Sequence, residues 1–135
     1  MMKIDGGCYC KSVRYESTGE PLARVQCHCR ECQYATGGGP NMFIVVPENG
    51  FRFVAGEPKG FSRSDLEAPV TREFCPDCGT HLLTRSPKRP GAIILKVGTM
   101  DDTSQYGGPE MAIFTCDKPS YHEIPKGIPT FSKRP

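Results

Sequence analysis

Seven of the eight cysteines fall into three tight groups: Cys8-Tyr9-Cys10, Cys27-His28-Cys29-Arg30-Glu31-Cys32 and Cys75-Pro76-Asp77-Cys78. Groups this tight suit metal ligation better than a framework of distant disulfides. A two-residue gap within a turn lets both sulfurs converge on one ion, because thiolates bind Zn²⁺ at about 2.3 Å in tetrahedral geometry. Whatever fold the chain adopts must bring distant groups together around shared ions. The middle group is the unusual one. It supplies three ligands within six residues and leaves one corner of a tetrahedron to a distant residue, water or a substrate. An open fourth position separates a catalytic zinc from a structural one.

A chain of 135 residues is expected to form one domain, residues 1–135. Only 37% of the residues are hydrophobic and there is no Trp, so the core is expected to be modest. The 15 Gly and 13 Pro imply many turns, short strands and little helix. Such a chain needs staples, and structural Zn²⁺ contributes roughly 10–16 kcal/mol of apparent binding energy in small modules. The N-terminal residues 1–7 carry no apolar stretch of signal-peptide length, and the apolar run 92–95 is far too short to span a bilayer. A soluble cytoplasmic protein without a membrane partner is the expectation. The net charge of +2 and the short basic runs 87–90 and 132–135 give no electrostatic footprint for nucleic acid.

Along the chain, Val13-Arg14-Tyr15-Glu16 alternates as a half-buried strand does, and Leu22-Ala23-Arg24-Val25-Gln26 reads as a strand delivering Cys27. Residues 31–36 form a short helical turn stopped at Gly37-Gly38-Gly39-Pro40, a loop that serves equally as a flexible turn or a ligand-facing one. Met42-Phe43-Ile44-Val45-Val46 is a buried strand, Glu48-Asn49-Gly50 a hairpin-type turn, and Phe51-Arg52-Phe53-Val54 the strand after it. Further short strands are expected near 61–63, 70–74, 82–84, 92–97 and 112–116, with 92–97 the longest and a surface-wrapping tail from 121 to 135. Eight to ten short strands with almost no helix make an all-β fold.

Spacing permits two partitions of the thiols. Cys29 and Cys32 could pair with Cys75 and Cys78 as a zinc ribbon, stranding Cys8, Cys10 and Cys27. Alternatively, Cys8, Cys10, Cys75 and Cys78 close one site while Cys27, Cys29 and Cys32 form another. The second partition leaves only Cys116, ties the N-terminus to mid-chain, and avoids a ribbon loop longer than usual. It is the one favoured.

Gly6-Gly7-Cys8-x-Cys10, Val13-Arg14-Tyr15, Cys27-His28-Cys29-x-x-Cys32, Phe74-Cys75-Pro76-x-Cys78-Gly79-Thr80 and Gly98-Thr99-Met100-Asp101 stand in an order that resembles the glutathione-dependent formaldehyde-activating enzymes. The resemblance covers most of the chain. It implies a tent-like fold of short antiparallel strands, and two Zn²⁺: a structural one on Cys8, Cys10, Cys75 and Cys78, and a catalytic one on Cys27, Cys29 and Cys32. It also implies carbon–sulfur lyase chemistry joining glutathione and formaldehyde into S-hydroxymethylglutathione. Three positions depart from the family pattern. Lys11 stands where Gly usually follows the first pair, Gln33 where Arg often follows the third cysteine, and Tyr121 where the tail usually has Trp. The last two stand where they can alter the substrate pocket.

A zinc ion ringed by four thiolates is coordinatively full, whereas one held by three accepts a thiol and deprotonates it near neutral pH. Cys27, Cys29 and Cys32 are therefore the catalytic candidates for a small thiol and aldehyde, provided neither Cys116 nor a histidine closes the fourth corner. His28, between two ligands, is expected to support them by hydrogen bonding. His81 and His122 read as surface or packing residues, Asp101 as a turn cap, and Arg14 and Arg30 as possible partners for substrate carboxylates. Two rival functions stand beside the lyase. One is a non-catalytic zinc-stapled module that binds a protein; the other is a redox enzyme using Cys116, which reads better as a buried spare thiol.

Overall fold

The computed structural model describes residues 2–135. Its strands are β1 (Lys3–Gly7), β2 (Arg14–Thr18), β3 (Ala23–Cys27), β4 (Asn41–Pro47), β5 (Phe51–Ala55), β6 (Lys59–Phe61), β7 (Thr71–Phe74), β8 (His81–Arg85), β9 (Ala92–Lys96) and β10 (Met111–Ile113). One α-helix, α1 (Arg30–Thr36), follows β3, and short 3-10 turns fill several of the remaining connections. The fold is all-β with little helix.

Two sheets carry the chain, a three-stranded one in the order β1-β2-β5 and a seven-stranded one in the order β10-β3-β4-β9-β8-β7-β6. Among the described residues every pairing between these strands is antiparallel except β10 with β3, which run parallel. That edge departs from the purely antiparallel expectation. β10 arrives after a long excursion from β9 and so is free to enter in either direction.

The unbroken apolar run in β4 has a physical cause. Ile44 and Val46 face one core and Phe43 and Val45 the other, so the strand is buried on both faces. β9 does the same, with Ile93 and Leu95 on one side and Ala92 and Ile94 on the other. The first core lies between the sheets, where Ile4, Val13 and Tyr15 meet Ile44, Leu82 and Leu95. The second covers the opposite face of the large sheet and includes Cys27 and Cys32.

The expected hairpin at Glu48-Asn49-Gly50 is corrected. Those residues form a 3-10 turn, but β5 leaves the large sheet and pairs with β2. Phe51 decides this by burying against Tyr15, with ring centroids 5.4 Å apart. Gly50 permits the corner, since a Cβ there would lie 1.9 Å from Thr18 O. β1 was not read as a strand, and β4, at seven residues, is longer than β9.

Candidate metal centres

The first thiol group forms where the two sheets meet. β1 ends at Gly7 and delivers Cys8, while β7 ends at Phe74 and delivers Cys75. The four sulfurs of Cys8, Cys10, Cys75 and Cys78 lie within 4.8 Å of one another. Cys8 and Cys10 are 3.6 Å apart, and Cys10 and Cys75 3.8 Å. Four ligands at zinc–sulfur distances of about 2.3 Å sit ~3.8 Å from each other in a tetrahedron, so the donor set fits. The Cys75–Gly79 turn is closed by Gly79 N to Cys75 O at 2.8 Å, with Gly79 at φ +79°. Donors surround the sulfurs as well. Val13 N reaches Cys8 Sγ at 3.3 Å and Ser12 Oγ lies 3.1 Å from Cys10 Sγ. Thr80 Oγ1, 3.2 Å from Cys78 Sγ, is the main cause that brings the Cys78 thiol down to about 6.

The second group stands on the outer face of the large sheet, clear of the first. Cys27 ends β3, and Cys29 caps α1 by accepting from Cys32 N at 3.2 Å, which turns Cys32 back toward Cys27. The sulfurs of Cys27, Cys29 and Cys32 again lie within 4.8 Å of one another. Among the described residues neither group draws a thiol from the other, so the ribbon grouping does not occur, and all eight cysteines are free thiols. Hydrogen bonds within the second group divide its acidity. Cys27 is pushed up, first by Cys29, while Cys32 is brought down to about 3, first by Cys27 and with help from Asn41 and the Lys96 charge.

Sheet register lays out the ground around these sulfurs. Ile113, Cys27 and Asn41 stand side by side across β10, β3 and β4. The neighbouring row is Met111, Val25, Phe43 and Lys96. Asn41 Nδ2 donates to Cys32 Sγ at 3.4 Å, and Lys96 Nζ donates to Asn41 Oδ1 at 2.9 Å. Burial pushes the Lys96 ammonium down, and the charge of the nearby sulfurs opposes that shift. Sequence reasoning missed both residues; the one available signal was a lysine closing the apolar run of β9.

His28 points away from the sulfurs. Its Nδ1 lies 2.9 Å from His122 Nδ1, whose Nε2 lies 2.7 Å from Gly38 O. Since Gly38 O only accepts, His122 donates from Nε2 and accepts at Nδ1, so His28 donates from Nδ1. His28 Nε2 then accepts from Gln26 Nε2 at 3.1 Å. Gln33 Nε2 adds bonds to His28 O at 3.0 Å and Asp117 O at 3.1 Å. This chain clamps the tail and the Gly37-Gly38-Gly39 loop against the three-thiol knuckle. His122 is thus a buried packing residue, as His28 is a supporting one, and both nitrogens of His28 are engaged.

Several expectations are corrected. Cys116 is exposed, not buried, on the turn after β10. Asp101 does not cap its turn; it holds Arg14, with Arg14 Nη1 donating to Oδ1 at 3.0 Å, and Asp102 caps instead by accepting from Ser104 N at 3.1 Å. Arg30 is bound to Gln33 Oε1 at 2.5 Å and lies over the Tyr34 ring. Gln33 and Tyr121 do not line the cavity beside the cluster; Gln33 is buried and Tyr121 bonds Gly38 O at 3.2 Å. His81, by contrast, is a packing residue as expected: it opens β8 and stacks on Phe74.

A cavity of about 370 Å³ opens over the second group, with Cys27, Cys29 and Cys32 in its lining. Phe43, Ile94, Ile113 and Phe114 supply apolar walls, and Arg72, Lys88, Arg89 and Arg134 supply positive charge. Cys116 is not part of that lining. Among the described residues, three sulfurs are the only clustered donors here.

Comparison with known proteins identifies the family. Residues 3–117 match the sequence profile of the family described as glutathione-dependent formaldehyde-activating enzyme. A Penicillium rubens protein is 34% identical over 83 residues, which is 60% of this chain and 43% of that protein. An Emericella nidulans protein is 31% identical over 80 residues, 58% of this chain and 40% of that one. Both are provisionally named glutathione-dependent formaldehyde-activating enzymes, and the matched region spans less than half of each. The crystal structure of a Rhodobacter sphaeroides protein superposes with a TM-score of 0.62 at 19% identity, over 80% of this chain and 97% of that one. It shares the fold.

Proposed function

The chain belongs to the glutathione-dependent formaldehyde-activating enzyme family, and on that premise we propose that it is a zinc-dependent carbon–sulfur lyase, residues 1–135 acting as one unit. Cys8, Cys10, Cys75 and Cys78 would hold a structural zinc. Cys27, Cys29 and Cys32 would hold a catalytic one. The carrying observation is a cluster of three sulfurs in a cavity lining, with the candidate fourth donors turned elsewhere: His28 into its hydrogen-bond chain, Cys116 to the surface.

Zinc bound there would keep an incoming thiol in its thiolate form near neutral pH. The chain's own groups do the rest. The cavity walls hold sulfur and aldehyde carbon together, so proximity supplies much of the rate. Asn41 and Lys96 offset the negative charge gathered at the sulfurs. Arg72 and the mouth cations receive the carboxylates of a glutathione-like thiol. In the forward direction a carbon–sulfur bond forms, the carbonyl π bond breaks and the thiol proton ends on the former carbonyl oxygen; S-hydroxymethylglutathione is the product when the aldehyde is formaldehyde. Free thiols suit a cytoplasmic enzyme, and no helix among the described residues is long and apolar enough to cross a membrane.

The test is NMR exchange between formaldehyde, glutathione and adduct, with elemental analysis of the same sample. Two zincs per chain and exchange faster than the spontaneous rate support the lyase. Two zincs with no acceleration would leave a zinc-stapled binding module.

A further inference from the structure

Apart from the Asn41 amide at Cys32, the side chains packed against the three sulfurs are hydrocarbon. Val25 and Phe43 are buried, Ile94, Met111, Ile113 and Phe114 partly so, and all belong to the cluster packed around Cys27, Cys29 and Cys32. A hydroxymethyl group is one carbon and a hydroxyl. It neither fills nor matches such a surface, since hydrocarbon leaves water only in exchange for hydrocarbon.

Phe114 carries a second sign. Its φ of +54° and ψ of +41° are left-handed, a conformation that crowds the Cβ against the following carbonyl oxygen and is unfavourable for most residues but glycine. Phe114 N donating to Lys133 O at 3.0 Å, and Asp117 N donating to Phe114 O at 3.1 Å, hold it there. Strain of this kind collects at ligand-binding positions, and here it sets an aromatic ring in the cavity wall.

Charge is arranged the other way. Lys88, Arg89 and Arg134 are exposed cavity residues, and none forms an ion pair among the described residues. The cavity lining therefore joins an apolar wall to these three cations, while its one acidic side chain, Glu31, faces Arg63 and Arg72.

We propose that the substrate is an amphipathic thiol adduct, its sulfur-bound carbon extending into a hydrocarbon chain or ring against Phe43, Ile94, Ile113 and Phe114, and its acidic groups at the cationic mouth. This rests on the carbon–sulfur reading above and names the carbonyl partner's class, a multi-carbon apolar aldehyde.

The test uses inert thioethers, so it does not depend on turnover. S-methyl-, S-propyl- and S-pentylglutathione are titrated calorimetrically into the zinc-loaded protein. Affinity is expected to rise about two- to fourfold per methylene. Phe114→Asn, which suits left-handed backbone, should flatten that slope, as should Met111→Gln. Lys88→Glu should weaken every member of the series alike. A flat wild-type series, no binding by any member, or a slope indifferent to both wall variants overturns the proposal. Accelerated formaldehyde exchange beside a flat series would sink this inference alone. A steep series without any exchange would sink the lyase reading alone.

Discussion

Asn41 Nδ2 donates to Cys32 Sγ at 3.4 Å across the gap between β4 and α1. Behind it Lys96 Nζ donates to the other end of the same amide at 2.9 Å. A largely buried ammonium thus stands one residue behind the sulfurs. Lys96→Met should lower metal affinity at the second centre about tenfold, the low end for loss of a supporting partner. Chelator competition followed by elemental analysis reads this directly; release of both metals in step would show a general loss of fold instead.

The two centres are separate in space and should empty separately. Cys32→Ser should reduce zinc from two to one per chain and leave the melting transition near wild type. Cys75→Ser should remove the tie between β1 and β7 and unfold the protein at ordinary temperatures, since zinc binding of this kind is folding energy. Equal melting temperatures for the two variants would contradict the assignment of one structural and one catalytic site.

Lys11 sits at φ +69°, in the left-handed region that favours glycine. A left-handed residue with a Cβ costs about 1–2 kcal/mol, part of which glycine loses again through chain entropy. Lys11→Gly should therefore stabilise the zinc-loaded protein by about 1 kcal/mol in denaturant titration. An unchanged or lower midpoint would mean that the lysine side chain offsets its strain.

Gly6 lies against the partner segment with no room for a side chain. A Cβ there would come within 2.3 Å of Thr99 O and of the Tyr15 hydroxyl, which itself bonds Thr99 Oγ1 at 2.8 Å. Gly6→Ala should cost roughly 1–3 kcal/mol, the range for overpacking a tight site. It should also loosen zinc at Cys8, two residues on. Thermal melting with and without a chelator separates the two effects.

Cys116 is exposed and outside the cavity lining. Cys116→Ser should leave exchange kinetics unchanged, whereas Cys29→Ser abolishes them. Loss of activity in the Cys116 variant would revive the redox mechanism.

The sequence alone determined what depends on neighbours along the chain. Two- and one-residue gaps between cysteines dictate knuckles, because so short a turn leaves the sulfurs nowhere else to go. The continuous apolar run of β4 dictates a strand buried on both faces, and Gly37, at φ +79°, ends α1 where it was expected to end. Contacts between distant residues were another matter. The turn at Glu48–Gly50 reads the same locally whether the chain doubles back or crosses to a second sheet, and burial of Phe51 against Tyr15 chose the crossing. His28 and His122 meet across 94 residues, and Lys96 reaches Asn41 across 55. Sheet register places Lys96 by Asn41, because a strand's partner fixes which side chains share a face, and the packing of the tail on the knuckle places His122 by His28; neither has a signature in the order of residues.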